Sequence, residues 1–297
     1  MSIVNSAAYS FLNSEVHTSD TYLSVETFEN LRKHIYDQCG IYFQDNKKYL
    51  LEARLSKRIS HLRLNSFEAY LNYLKYNVNK ENEKKYLFDA ITINETYFFR
   101  NQPQLDALVT KVIPEIIEQK QKAGKNRIRI WSAASSSGEE AYSIAISILD
   151  FIKIKYPDFE FEITGTDISH AAIEAAKNGI YKDYAVRSTP AHYLKKYFKA
   201  KGNVYHIDPS VKQMVQFRFL NLYDDSDMKT MMGIDIIFCA NVLIYFDINS
   251  KIKVVSSLYN SLNRGGYLFI GYSETLHSVS KAFRLVSFSK TIGYRKE

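Results

Sequence analysis

Apolar positions recur with a helical period from Val25 to Ala90. Phe28, Leu31 and Ile35 form one stripe; Leu50, Leu51, Leu55, Ile59 and Leu62 form a second; Phe67, Tyr70, Leu71 and Leu74 form a third. Gly40 and Asn65-Ser66 interrupt the pattern, and Ser66 ahead of Glu68 and Ala69 reads as a helix start. No strand-like alternation intervenes, so residues 23–90 are predicted to form a small all-α domain. Met1–Tyr22 is a polar extension, expected to be flexible, and residues 91–110 read as a linker.

Beyond the linker, over residues 111–297, the pattern changes to strands alternating with helices. Strands are predicted from Arg127 to Ala133, Phe159 to Ile168, Val215 to Leu222, Ile234 to Ala240 and Tyr267 to Tyr272. Helices are predicted over Glu139–Ile154, Ser169–Lys177 and Ile252–Leu262, and a closing antiparallel hairpin over Phe283–Tyr294. This alternation argues for an α/β fold whose parallel sheet is covered on both faces. Neither period holds from Lys182 to Gln213, which reads as an inserted β-subdomain.

With 46% hydrophobic and 24% charged residues, the composition is that of a globular chain. Eleven glycines and five prolines exclude collagen-like and low-complexity architectures. No apolar run approaches the roughly 18 residues of a membrane span, and Met1–Tyr22 lacks the continuous apolar core of a secretory signal. Cys39 and Cys239 have no metal-ligand spacing around them and read as reduced thiols of a cytoplasmic protein. The net charge of +7 suits nucleic acid, an anionic surface or an acidic protein equally. It is unevenly placed: between Lys47 and Arg63 six bases face Glu52 alone, a net +5.

In an open parallel sheet, ligands bind beyond the carboxyl ends of the strands. The first strand runs into Trp131-Ser-Ala-Ala-Ser-Ser-Ser-Gly-Glu-Glu140, which has neither the Gly-Lys-Ser/Thr of a P-loop nor three spaced glycines. Glu139, at a helix start, would repel a phosphate but suits an ammonium group. The second strand ends at Asp167, whose two oxygens suit a ribose diol, with Ser169 left to cap the helix. Acids for an ammonium and a ribose, without a phosphate cradle, describe S-adenosylmethionine better than a nucleotide.

Six ordered motifs then carry a resemblance: Asn94-Glu-Thr-Tyr-Phe-Phe-Arg100, Trp131–Glu140, Gly165-Thr-Asp167, Asn221-Leu222, Ile237–Asp247 and Gly271-Tyr-Ser-Glu274. Together they resemble the chemotaxis receptor methyltransferases, the CheR family, from about Val25 to Tyr294. The resemblance implies a Rossmann-like class I methyltransferase sheet with a small inserted β-subdomain, preceded by a small all-α N-terminal domain. It implies a protein-glutamate O-methyltransferase that uses S-adenosylmethionine, releases S-adenosylhomocysteine and leaves methyl esters on receptor glutamates. Asn94, Thr96 and Arg100 would contact the cofactor or flank the methyl, with Ala134 in the first turn, Glu139 on the amino group and Asp167 on the ribose. Asn221 and Leu222 would lie along the adenosine, Ala240 and Asn241 would close the pocket, and Tyr245 would stand beside the donor. No metal is implied. Arg54, Lys57 and Arg58 of the basic segment would face the acidic methylation region of membrane-bound receptors. This chain departs from the family in having Ala240 where arginine is usual and Tyr272 where histidine is common.

A glutamate with a pKa near 4.3 is already ionised at neutral pH, so methyl transfer to it requires no general base. Alignment and exclusion of water are what the site must supply. Arg100 suits a bidentate contact with the incoming carboxylate, and Tyr245 a hydrogen bond to it. Two other readings stay open: a nucleic-acid N-methyltransferase using the basic patches, and a cofactor-binding docking protein without turnover, motivated by Ala240. The insertion offers a place where a C-terminal receptor tail could add as a strand.

Overall fold

The computed structural model describes residues 22–297, so most of the extension expected over 1–22 lies outside the described residues. Four helices make the first unit: α1 (Val25–Cys39), α2 (Lys48–His61), α3 (Phe67–Tyr76) and α4 (Lys80–Ile91). Ser24 and Ser66 cap α1 and α3 by accepting the N–H groups of Thr27 and Ala69, each at 3.1 Å. Gly40 ends α1 at φ 72°, and a Cβ there would strike the Tyr223 ring of the second unit at 2.5 Å. The three apolar stripes pack together around Leu31, Leu51, Leu55 and Phe67. α4 carries no stripe of its own. It enters the core through Leu87, Phe88 and Ile91 at its last turn and through Glu83 in its first.

Glu83 is 2% exposed, and it overturns part of the reading of the basic segment. Arg58 donates to both its oxygens, at 2.6 and 2.5 Å, and the Tyr70 hydroxyl donates at 2.9 Å. A carboxylate so buried requires a partner, and the guanidinium fork supplies one. Arg58 is therefore turned into the helical unit rather than toward a receptor. Arg54 donates to the Ile91 carbonyl at 2.6 Å, closing the C-terminus of α4, and Lys57 is exposed.

The second unit begins with α5 (Gln102–Ala107), which runs through a wide π-helical turn into α6 (Ile113–Lys122). Then come β1 (Arg127–Ala133), α7 (Glu139–Ser147), β2 (Glu160–Asp167) and α8 (His170–Asn178). The inserted strands follow as β3 (Ile180–Tyr181), β4 (Phe198–Lys201) and β5 (Val204–Ile207), forming a small antiparallel sheet in the order β3-β5-β4. The chain returns as β6 (Val215–Phe219), β7 (Ile234–Cys239), a helix over Ile248–Ser261, β8 (Leu262–Ile270), β9 (Phe283–Ser287) and β10 (Ile292–Lys296). The large sheet has the order β6-β2-β1-β7-β8-β10-β9. Its first five strands run parallel, and β10 and β9 form the closing antiparallel hairpin.

Strand order reverses at β1, with β2 on one side and β7 on the other, so the crevice opens above their carboxyl ends. Apolar residues cover both faces of the sheet. Trp131 is fully buried, and its indole N–H donates to the Thr166 hydroxyl at 2.9 Å. Cys39 and Cys239 are buried free thiols whose pKa values burial raises. Among the described residues no helix is long and apolar enough to cross a membrane.

Candidate active site

A cavity of about 600 Å³ lies above the switch point. Its floor is the strand-end turns of the sheet, and its roof comes from the helical unit: Cys39, Ile41–Gln44, Lys47, Leu50 and Arg54. The helical unit is held there by specific contacts. Tyr42 donates its N–H to the Tyr245 carbonyl at 3.0 Å, and Ile41 bridges Phe246. The Asn221 amide donates to the Gln38 carbonyl at 2.8 Å, and the Asp89 carboxylate accepts the Ser169 hydroxyl and the Ala171 N–H at the start of α8.

The turn after β1 is under tension. Five non-glycine residues among those described have φ between 50° and 61°, and four of them line the cavity: Phe99, Ala134, Ser136 and Asn241. Backbone held in the left-handed region persists only where its surroundings enforce it. Asp167 does so for Ser136: one of its oxygens accepts the Ser136 N–H at 2.9 Å, and the other accepts the Ser169 N–H at 2.8 Å. Burial raises its pKa, and these amides work against that shift. Each oxygen keeps a lone pair for a further donor, which suits a ribose diol. Ser169 caps α8, accepting the Ala172 N–H at 3.1 Å.

The two glutamates after Gly138 part ways. Glu139 is 3% exposed and lies off the cavity, accepting the Ser137 hydroxyl at 2.8 and 3.0 Å. Glu140 lines the cavity and accepts the Ser132 hydroxyl at 2.8 Å. Successive helical residues point about 100° apart, so only one of the pair can face the ligand. Glu139, expected on the amino group, thus lies off the cavity, and the carboxylate on its wall is Glu140. Desolvation lifts its pKa to about 7, with Glu274 adding to the rise and the Ser132 hydroxyl and Arg100 opposing it.

The Asn94–Arg100 stretch alternates between anchor and site. Phe98 is fully buried, edge-on to Tyr181 and Phe198 at 4.7 and 4.9 Å, and its N–H donates to the Ala185 carbonyl at 2.9 Å. The Phe99 N–H is held by the Ser143 hydroxyl at 3.0 Å. On either side of these anchors Asn94, Thr96 and Arg100 open onto the cavity, and Arg100 donates to the Glu95 carbonyl at 2.9 Å.

Ala134, Leu222, Ala240, Asn241 and Tyr245 also line the cavity, as does Asn221, whose side chain is committed to Gln38 and to the Tyr223 N–H. Burial raises the Tyr245 phenol above its ordinary pKa, so it remains a donor. Tyr272 is 91% exposed and off the cavity wall, so that departure from the family pattern leaves the site untouched. With Ala240 at its position, the basic side chains on the wall are Lys47, Arg54 and Arg100. Lys57 and Arg58 are not part of it. Sequence reading missed Glu140, Gln104 and the whole Ile41–Gln44 roof. Glu140 alone had a signal, since Ser132 on the preceding strand is a donor placed to meet it.

Carboxylates for an ammonium and a diol, apolar walls at Ile168, Leu220 and Leu222, and strained small residues between them suit S-adenosylmethionine. The chain is in this sense an S-adenosylmethionine-dependent methyltransferase. Residues 94–292 match the SAM binding domain of CheR methyltransferase, and residues 26–92 match its all-alpha domain. The chain belongs to the CheR methyltransferase family. It is 37% identical over 270 residues to chemotaxis protein methyltransferase 2 of Vibrio cholerae, covering 91% of this chain and 92% of that protein. It is 35% identical to chemotaxis protein methyltransferase 1 of Pseudomonas aeruginosa, covering 90% and 97%. Against the chemotaxis protein methyltransferase of Borreliella burgdorferi the identity is 32%, covering 86% and 89%.

Proposed function

We infer that this methyltransferase esterifies glutamate side chains of chemotaxis receptors, in the cytoplasm and at membrane-bound receptor arrays. The observation that carries this reading is the split of charge within one cavity. Glu140 and Asp167 supply acids for the cofactor, while Lys47, Arg54 and Arg100 line the same space as cations for an acidic acceptor. The names of the relatives point the same way. Lys57, exposed beside Arg54 on α2, extends the cationic face toward the acidic region of a receptor helix.

When bound, S-adenosylmethionine supplies a methyl group on a sulfonium, which leaves as a neutral thioether. Glu140 holds the amino group and Asp167 the ribose. Asn94 and Thr96 lie along the cofactor, Ala134 and Ala240 allow close backbone approach, and Leu222 packs on the adenosine beside Asn221. Arg100 and Tyr245 orient the acceptor carboxylate for in-line attack, and Asn241 closes the space behind them. Arg100 acts as a guide rather than a clamp, because tight pairing would stabilise the nucleophile before reaction. The strand β4, with Lys199 and Lys201 exposed on the edge of the inserted sheet, suits strand addition by a receptor tail.

Incubation with labelled cofactor and receptor-bearing membranes, followed by alkaline release of labelled methanol, tests the reading. Base-labile label that vanishes in Arg100→Ala is the expected result. Label on RNA or DNA and none on receptor would decide for nucleic-acid methylation, and tight cofactor binding without transfer for a docking protein.

A further inference from the structure

The motif Gly271-Tyr-Ser-Glu274 lies beyond the end of β8, and its tyrosine faces solvent, yet its glutamate turns back onto the Asn241–Ile244 turn that lines the cavity. One Glu274 oxygen accepts the N–H groups of Asn241 at 2.8 Å and Gly271 at 2.7 Å, and the other accepts the Ile244 N–H at 3.2 Å. Three backbone donors from two separate strand-end segments therefore converge on one carboxylate. Such charge-assisted bonds are shorter and stronger than neutral ones. Asn241 is held at φ 61°, and Ile244 immediately precedes Tyr245. Gly271 is needed for the approach: a Cβ there would meet Glu274 Oε2 at 2.7 Å, the Asn241 nitrogen at 2.9 Å and its Oδ1 at 3.0 Å.

We propose that Glu274 is a positioning residue for methyl transfer, gripping the Asn241–Ile244 turn by its amides and so setting where Asn241 and Tyr245 stand. The proposal rests on the methyltransferase reading above. Glu274 is not itself on the cavity wall, so it acts through the residues it holds. It also acts at a distance, because its charge opposes ionisation of Glu140 and of the Tyr245 phenol. The other groups facing Glu140 are the Ser132 hydroxyl and Arg100. A carboxylate that both shapes the acceptor side and biases the cofactor-side acid would link the two halves of the cavity.

Two substitutions separate shape from charge. Glu274→Gln removes the charge and leaves one acceptor oxygen. Gly271→Ala keeps the charge but pushes the carboxylate off its amides. In the methyl-release assay, with wild type in parallel, both variants should lose on the order of tenfold or more in kcat. Cofactor affinity above pH 8 should stay within about threefold of wild type, because the Glu140 and Asp167 contacts survive. In Glu274→Gln alone, the midpoint of the rise of cofactor affinity with pH should move to lower pH. A folded Glu274→Gln with unchanged kcat overturns the proposal, as does a midpoint that shifts equally in both variants. If Glu274→Gln does not fold, an unchanged kcat in Gly271→Ala overturns it. If neither folds, Glu274 is a folding element and the proposal falls. A wild-type protein that releases no label would count against the reading of function, separately from these ratios.

Discussion

The floor and the roof of the cavity are assembled from different kinds of contact. On the floor, Asp167 at the end of β2 holds Ser136, which follows the adjacent β1, and Ser169, two residues further along its own chain. At the roof, Gly40–Gln44 lies against Asn241–Asp247, and the bonds that join the two units here, Tyr42 to Tyr245 and Tyr36 of α1 to Asp247, span some two hundred positions. The floor is a property of the sheet and would form wherever these strands pair. The roof exists only while the helical unit stays docked on the sheet unit. The Asp167 and Glu140 side of the cavity thus belongs to the sheet unit alone, whereas the Ile41–Gln44 side depends on docking.

The sharpest way to break this contrast is to loosen the roof alone. Arg58→Ala leaves the Glu83 carboxylate, 2% exposed, without its partner and should cost the helical unit about 3–5 kcal/mol. Urea unfolding followed by limited proteolysis should then show α1–α4 lost first while the sheet persists. Simultaneous loss of both units would mean that the roof has no independent weakness.

Attack on the floor should be felt in affinity instead. Asp167→Ala orphans two buried amides, each worth about 1–3 kcal/mol, and removes the diol acceptor. Calorimetry should show cofactor binding weakened by about a hundredfold, and unchanged affinity would remove the ribose assignment.

The third test concerns pH. Glu140, raised to about 7, is largely protonated in the empty site below that value. An ammonium ligand favours its ionised form, so cofactor affinity should climb as pH rises through about 7 and level off above. Stability of the empty protein has the opposite sign. A carboxyl raised in the fold contributes stability at pH below its unfolded value, and that contribution is lost as pH rises through the folded one. Glu140→Gln should flatten the affinity curve, whereas Glu139→Gln should leave its rise in place. The reverse pattern would restore Glu139 to the role first assigned to it.

The smallest effect is expected from Tyr36→Phe, which deletes a hydroxyl 3.3 Å from both Asp247 oxygens. A loss of about 0.5–1 kcal/mol in docking should appear as a modest rise in KM for the acceptor with kcat preserved. A fall in kcat instead would place Tyr36 closer to the chemistry than the roof.

The same contrast explains what could be read from the sequence. Floor elements are local, so the strand-end turns, Asp167 and the Ser169 cap stand out from periodicity and chemistry alone. The roof is a through-space object, and nothing in Ile41–Gln44 marks it as cavity wall. Leu50 reads as part of a core stripe, yet it is half-buried at the cavity. Arg58 reads as surface charge because its partner, Glu83, is 25 positions away on a helix with little apolar pattern. Glu140 was lost to its neighbour because composition cannot set helical phase to within one residue.

The Asn221–Gln38 and Ile41–Phe246 contacts have a further consequence, for occupancy. Any opening that lifts α1–α4 away strips the roof from the cavity, so the closed form binds the cofactor more tightly than the open one. Cofactor at a hundredfold excess over its dissociation constant should then suppress such opening by at most about 2.7 kcal/mol. Amide hydrogen exchange in α1–α4 would slow accordingly, while that of the central strands would change little. The surface that meets the acceptor would thereby be firm when methyl donor is plentiful and loose when it is scarce, a read-out of metabolic supply built into the seam between two units.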